Sequence, residues 1–361
     1  VADPHWAADN RGVFFSFDDR GVKKLGLATL DGKVRTLADG LGGTDLGRPY
    51  TSGGFSVARN GRLAFTHNTP QRPADVATAL GKSGVTVLTA LNEDLFGNKT
   101  LGAVRELSWK SSKDQRDIEG WVITPPDFDP AKKYPLILEI HGGPFAAYGP
   151  NYATELQLYA AAGYIVLYTN PRGSTSYGEQ FGNLIHHAYP GDDYDDLMSG
   201  VDAVIAEGHV DANNLFVTGG SGGGVLTAWI VGKTDRFRAA VVAKPVINWS
   251  SFVLTSDANN FFYKYWFGAQ PWEQPQEYWR RSPLSLVGNV KTPTMLITGE
   301  ADYRTPIEES EQYYQALKLR KVDTVMVRVP EASHGGLVAR PSNLIAKVDN
   351  ILAWFEKYRK K

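Results

Sequence analysis

Leu215-Phe216-Val217-Thr218-Gly219-Gly220-Ser221-Gly222-Gly223-Gly224 is the stretch on which the reading of this chain turns. Leu215 to Thr218 is a short apolar run of strand formers, too short for a helix and stopped by glycine. Beyond the glycines, Val225, Leu226, Ala228, Trp229, Ile230 and Val231 predict a buried helix. A strand, a tight turn and a helix with a lone serine at the apex make the pattern G-x-S-x-G, here Gly219 to Gly223. Such a turn strains the backbone of its serine and leaves little room beside it, hence glycine on both sides. The hydroxyl then stands exposed at the positive end of the following helix. Two rival chemistries of glycine-rich turns fail here. A phosphate loop needs a lysine that does not follow, and G-x-G-x-x-G started at Gly220 breaks at Val225.

A serine hydroxyl is a weak nucleophile until a base takes its proton, and the base needs an orienting carboxylate. In strand–turn–helix elbows of this type the chain order is Ser, then Asp or Glu, then His. Downstream of Ser221 there is one histidine, His334, in Glu331-Ala332-Ser333-His334-Gly335-Gly336. Asp302, in Gly299-Glu300-Ala301-Asp302-Tyr303-Arg304, is the expected acid, with Glu300 as its rival. Acyl transfer also needs donors for the oxyanion, each worth about 3–4 kcal/mol. One is the N–H of Gly222; the other should come from His141-Gly142-Gly143-Pro144, where Pro144 has none to give and Gly143 or Gly142 must donate.

The rest of the chain frames this site. From Tyr134 onward, strands alternate with helices: Leu136–Ile140, Tyr164–Thr169, Leu215–Thr218, Ala239–Ala243, Thr294–Thr298 and Thr324–Val329 are the predicted strands. Helices are expected over Ala153–Ala162, Tyr194–Glu207, Val225–Gly232, Ile307–Leu319 and Asn343–Tyr358. This is the grammar of an α/β fold with a doubly wound, mostly parallel sheet, whose site lies at the carboxyl ends of the strands. His141, Ser221, Asp302 and His334 all fall just after a strand. Residues 1–100 read instead as short strands separated by Asp-Gly and Asn-Gly turns, with Asn60-Gly61 at a type I′ hairpin position. They suggest roughly two propeller blades at ~40–50 residues each, too few to close a ring. A partial all-β region over 1–100 before a catalytic domain over 101–361 is the expected organisation. The chain begins at Val1, and we expect it to be a piece of something longer.

Composition removes several function classes. With 361 residues, 42% of them hydrophobic, there is material for a large core, and a net charge of −1 gives no case for nucleic acid. No apolar run is long enough to span a bilayer. The absence of cysteine excludes disulfides, thiol catalysis and zinc–thiolate sites. His186-His187 with Asp192, Asp193, Asp195 and Asp196 look metal-friendly but lack calcium-loop and H-E-x-x-H spacing, so a helix cap by Asp192 or Asp193 is preferred. No metal or cofactor is expected. Gly81-Lys82-Ser83 echoes a phosphate loop without its upstream glycine. The aromatic run Phe261–Phe267 is read as core or as a hydrophobic substrate pocket rather than a base-stacking platform.

Several motifs in order now carry a resemblance over roughly Trp109 to Phe355. They are Tyr134-Pro135-Leu136, His141-Gly142-Gly143-Pro144, Asn170-Pro171-Arg172-Gly173-Ser174 with Tyr177-Gly178, Gly219-Gly220-Ser221, Thr234-Asp235-Arg236-Phe237, Arg281-Ser282-Pro283-Leu284, and the Asp302, Arg304 and Pro306 loop. The chain resembles the prolyl oligopeptidase family of serine peptidases, in its acylaminoacyl-peptidase or dipeptidyl-peptidase-5-like branch. The resemblance implies an α/β-hydrolase domain gated by an N-terminal propeller, of which residues 1–100 would be the last blades. It implies the triad Ser221, Asp302 and His334, oxyanion donors Gly143 and Gly222, and a substrate-carbonyl contact from Arg304. Two positions depart from it. Gly222 stands where members commonly carry a tyrosine bordering the S1 pocket. His141 stands where other branches place a tyrosine, whose hydroxyl is thus unavailable, and this argues against strict post-proline cleavage. Val246, Trp249, Phe252 and Val253 are the candidate apolar S1 wall.

The expected function is hydrolysis of short peptides through an acyl-enzyme. A carboxylesterase with the same triad and a catalytically silent propeller-hydrolase binding protein are the alternatives. The expected partners are a peptide substrate and the missing propeller portion of the same protein, with homo-oligomerisation left open. Relatives with signal peptides suggest a periplasmic or secreted setting, with the cytoplasm not excluded.

Overall fold

The computed structural model describes residues 1–81 and 84–361, so Lys82 and Ser83 of the phosphate-loop-like stretch lie outside the described residues. The first sheet is antiparallel and holds β1 (Ala2–Trp6), β2 (Gly12–Asp19), β3 (Val22–Thr29), β4 (Val34–Leu41), β5 (Phe55–Val57), β6 (Leu63–Thr69), β7 (Arg72–Ala79) and β8 (Val85–Val87). It consists of two four-stranded groups, β1 to β4 and β5 to β8, joined through the single pair Leu41–His67. Alternate residues of β2 point inward, and Phe14 packs with Leu25, Leu27, Leu41, Leu63 and Phe65 in one apolar core shared by both groups. The two edge strands, β1 and β8, are exposed throughout.

The Asn60-Gly61 turn departs from the type I′ expectation. That turn needs two left-handed residues, but here only Gly61 has positive φ, +79°, and Asn60 does not. The loop is closed by Gly61 N–H to Ala58 and Ala58 N–H to Arg62, so it is longer than a two-residue hairpin.

The second sheet is mixed. It runs in the order β16-β15-β14-β13-β11-β12-β10-β9, with β9 (Val104–Lys110), β10 (Asp117–Ile123), β11 (Tyr134–Ile140), β12 (Ile165–Asn170), β13 (Val210–Gly220), β14 (Ala239–Ala243), β15 (Thr294–Gly299) and β16 (Thr324–Val329). β11 to β16 pair with one another in parallel, while β9 and β10 add antiparallel pairs at the β12 edge. Both faces are covered, which is why the central strands read as continuous apolar runs. On one face lie α2 (Asp193–Ala206) and α3 (Gly222–Lys233), with Leu197, Val201 and Val225 against Leu136, Leu138 and Val217. On the other lie α1 (Thr154–Ala161) and α6 (Pro341–Tyr358), with Leu156, Tyr159, Ile351 and Phe355 against Ile137, Val166 and Phe216. The chain between β14 and β15 adds α4 (Trp249–Thr255), and α5 (Ile307–Leu319) follows β15. The aromatic run forms two short helical turns whose Trp266 and Phe267 are buried in the first of these cores, in keeping with the core reading.

The connection between the two four-stranded groups is clamped onto the mixed sheet. Leu46 and Gly47 carbonyls accept from Thr154 and Glu155 N–H at 2.8 and 3.2 Å, the Pro49 carbonyl accepts from Gly149 N–H at 2.8 Å, and Thr51 N–H donates to Ala147 at 3.0 Å. At its centre the buried guanidinium of Arg48 lies 2.7 Å from Glu139 on β11 and 3.2 Å from Glu155 on α1. Lys347 of α6 completes the cluster at 2.5 Å from Glu155. Burial would raise both carboxyls. Glu155 touches two cations and is held well below the usual carboxylate range, whereas Glu139 touches one and is pushed up. One oxygen of Glu139 has no partner among the described residues, which fits that direction. Removing one member of such a cluster strands the others. Arg48→Ala is expected to cost about 3–5 kcal/mol of stability, read as a lower midpoint in denaturant titration, and a shift below about 1 kcal/mol would show that the cluster is not a clamp.

Candidate active site

Ser221 caps β13 with φ 59° and ψ −120°, a strained conformation for a residue with a side chain. Its N–H donates to the Ala243 carbonyl of β14 at 3.0 Å, and its own carbonyl accepts from Val225 N–H at 3.0 Å. The first turn of α3 therefore sits directly on the carbonyl ends of two strands. A Cβ on Gly223 would overlap the Ile140 carbonyl oxygen at the end of β11, and one on Gly219 would lie 2.6 Å from the Gly223 oxygen. The helix begins at Gly222, three residues before the predicted Val225, because the glycines themselves are helical.

His334 and Asp302 meet across the loops after β16 and β15. The imidazole Nδ1 lies 2.8 Å from one Asp302 oxygen and 3.0 Å from the other. Asp302 is held by the N–H groups of Arg304 and Thr305, at 3.0 and 2.9 Å, and by the Thr305 hydroxyl at 3.1 Å. A carboxylate only accepts, so Nδ1 carries the proton and Nε2 keeps its lone pair. Burial lowers the basicity of His334; the Asp302 hydrogen bond opposes this and Lys244 adds to it. Glu300, the rival acid, instead pairs with Arg328 on the surface at 2.9 Å.

Ser221 and His334 line one cavity of about 310 Å³, together with Gly142, Gly143, Tyr50 and Lys244. Among the described residues the two side chains make no hydrogen bond to each other, a separation common in sites without substrate, where such contacts tighten on binding. Gly142 N–H is already spent, since it donates to the Tyr50 hydroxyl at 2.7 Å. The N–H groups of Gly143 and Gly222 have no partner among the described residues, and the two glycines are adjacent: a Cβ on Gly222 would lie 3.1 Å from Gly143 backbone atoms. His141 is buried, its basicity pushed down to about 4 by that burial, and its Nδ1 donates to the Gly142 carbonyl at 2.7 Å. Lys244, just beyond β14, has φ +39° and donates from Nζ to the His334 carbonyl at 2.6 Å. Its ammonium is destabilised to about 7, first by burial and then by Arg48 and Lys347.

The profile of the Prolyl oligopeptidase family matches residues 150–361, more than half of the chain. The chain belongs to that family. It is 36% identical over 358 residues to the uncharacterized peptidase YuxL of Bacillus subtilis, covering 98% of this chain and 53% of the relative. It is 29% identical over 364 residues to dipeptidyl-peptidase 5 of Porphyromonas gingivalis, covering 99% and 52%. The uncomplexed acylaminoacyl peptidase of Pyrococcus horikoshii superposes with a TM-score of 0.89 at 29% identity, covering all of this chain and 56% of that one. The chain thus spans about half the length of the curated relatives it matches.

Other residues singled out in this prolyl oligopeptidase family member lie elsewhere. Arg304 turns away to Asp257 at 2.6 Å and is not among the residues lining the cavity. Val246, Trp249, Phe252 and Val253 are buried in the core, and none of them lines the cavity either. Trp249 stacks edge-on against Tyr189, whose hydroxyl donates to the Gly222 carbonyl at 2.7 Å, so the group backs the elbow from behind. The physical reason is that α4, and the segment before it that carries Val246, fold their apolar side into the core. Asp192 is the residue before α2 but makes no side-chain cap. Asp193 accepts from Gly191 and Tyr194 N–H, and Asp196 holds Arg172 at 2.8 Å. Tyr50, Lys244 and Arg48 were not read from the sequence; a glycine-rich loop and a lone lysine after a strand carry no local signal.

The elbow's tightness is testable. Gly223→Ala is expected to cost about 3 kcal/mol or more, because the helix must lift off β11, whereas Gly222→Ala should cost about 1 kcal/mol or less. Equal denaturation midpoints for the two variants would refute the close approach.

Proposed function

We propose that this chain carries the catalytic unit of a serine peptidase that cleaves short peptides through an acyl-enzyme. The observation that supports this most is one cavity lined by Ser221, Gly143 and a His334 imidazole oriented by Asp302, beside a Gly222 whose N–H, like that of Gly143, has no partner among the described residues. His334 Nε2 would take the Ser221 proton as the oxygen attacks the substrate carbonyl. The developing oxyanion would be held by Gly143 and Gly222, and the imidazolium by Asp302. The same proton then passes to the leaving amine, and a water repeats the sequence in reverse to release the acyl group. The similar proteins, dipeptidyl-peptidase 5 and acylaminoacyl peptidase, favour removal of a short or blocked N-terminal unit.

The fold reading goes with it. Residues 101–361 would be an α/β-hydrolase domain, and residues 1–100 two blades of a β-propeller continued by chain outside this sequence. Two four-stranded antiparallel groups, exposed edge strands and a length near half that of the relatives support it.

Labelling with a fluorophosphonate probe should modify Ser221, and Ser221→Ala should abolish both labelling and peptide turnover with the fold retained. Turnover that persists in this variant would overturn the reading, and turnover of esters with none of peptides would favour a carboxylesterase. The neutral imidazole is the active form, and burial lowers its affinity for a proton. The acid limb of kcat/KM should therefore have its midpoint below the ordinary imidazole value of 6.5. A midpoint at or above that value would contradict the buried, neutral His334.

A further inference from the structure

We propose that Tyr50, from the region before the mixed sheet, is a positioning residue that sets the aim of the oxyanion-binding peptide. The inference rests on the serine-peptidase reading above and deepens it.

The Gly142–Gly143 segment is intrinsically soft. Neither residue has a side chain, and Gly143 has φ +122°, so both peptide planes are free to turn unless something holds them. Each plane is held by one side chain. The plane before Gly142 is fixed through its N–H, which donates to the Tyr50 hydroxyl at 2.7 Å. The plane after Gly142 is fixed through its carbonyl, which accepts from His141 Nδ1 at 2.7 Å. A trans peptide is planar with its C=O and N–H pointing oppositely, so holding the Gly142 carbonyl at His141 turns the Gly143 N–H the other way. Fixing the preceding plane keeps the Gly142 N–H from swinging into competition for the same space. Tyr50 and Ser221 both crowd Gly142: a Cβ there would lie 3.1 Å from the Tyr50 oxygen and 3.2 Å from the Ser221 Cβ.

Tyr50 is itself rigidly supplied. It pairs with Tyr148 as an isolated bridge, its carbonyl accepts from Asn151 at 3.1 Å, and it is two residues from the buried Arg48. The hydroxyl that position 141 lacks thus reaches the oxyanion loop from a remote part of the chain, acting as an acceptor that orders the loop. Loss of that acceptor leaves Gly142 N–H buried and unpaired, a state that favours rotation of the loop.

The test is Tyr50→Phe in the full chain, which keeps the ring and removes only the oxygen. On a chromogenic peptide, kcat should fall about tenfold to a hundredfold with KM changed less than about threefold, since the interaction serves the transition state. Affinity for a peptide boronate, which mimics the tetrahedral state, should fall by the same factor, while the thermal midpoint stays close to that of the parent. A kcat within twofold of the parent, a loss confined to KM, or unchanged boronate affinity would each overturn the role of Tyr50. Ser221→Ala is run beside it: if that variant still turns over peptide, the serine-peptidase reading fails. If it is dead and Tyr50→Phe is fully active, only the present inference fails.

Discussion

The first turn of the helix after Ser221 presses against the carbonyl ends of two strands at once, and most of the site follows from that contact. Gly223 leaves no room for a side chain against Ile140, and Ser221 hydrogen-bonds to the end of β14. With the helix that close, the serine must turn sharply, which places it in a strained conformation at the top of the sheet. The same closeness brings Gly222 against the Gly143 backbone, so two N–H groups without a partner among the described residues belong to adjacent glycines. Strand order does the rest, because β15 and β16 lie successively outward and deliver Asp302 and His334 from their own carboxyl ends.

What the sequence revealed was whatever local pattern encodes. The apolar runs of the parallel strands and the strand–turn–helix elbow could be read, and loop placement pointed to Asp302 rather than Glu300 as the carboxylate that meets His334. Boundaries slipped where glycine misled. The helix of the elbow begins within the glycines, and Asn60-Gly61 closes a longer loop than its dipeptide suggests. The larger miss concerned tertiary contact. Val246, Trp249, Phe252 and Val253 have the apolar character of a pocket wall, but that character serves equally for core, and here α4 turns it inward. Tyr50 and Lys244 are invisible in sequence because their importance comes from partners far along the chain, Gly142 and His334.

Electrostatics beneath the site is arranged as two acids and two bases with almost no solvent. Arg48, Glu139, Glu155 and Lys347 compensate one another, and such burial is tolerated only while each member keeps its partner. Lys244 stands close enough to feel this cluster while touching the histidine loop, so two cations of the cluster disfavour its ammonium. The charge state under the cavity and the seating of His334 are therefore linked through one side chain.

The long spans of that cluster also bear on the order in which the molecule is made. Arg48 finds Glu155 across 107 residues, and Lys347 finds the same carboxylate across 192. On a ribosome the antiparallel sheet emerges before the mixed one, and its connecting segment carries a cation and a phenol whose partners do not yet exist. The charge cluster is complete only when α6 has been synthesised and docked, because contacts this distant in sequence form late. A nascent chain carries the Arg48 guanidinium without Glu155 until α1 has emerged, and Glu155 without its second cation until α6 has followed.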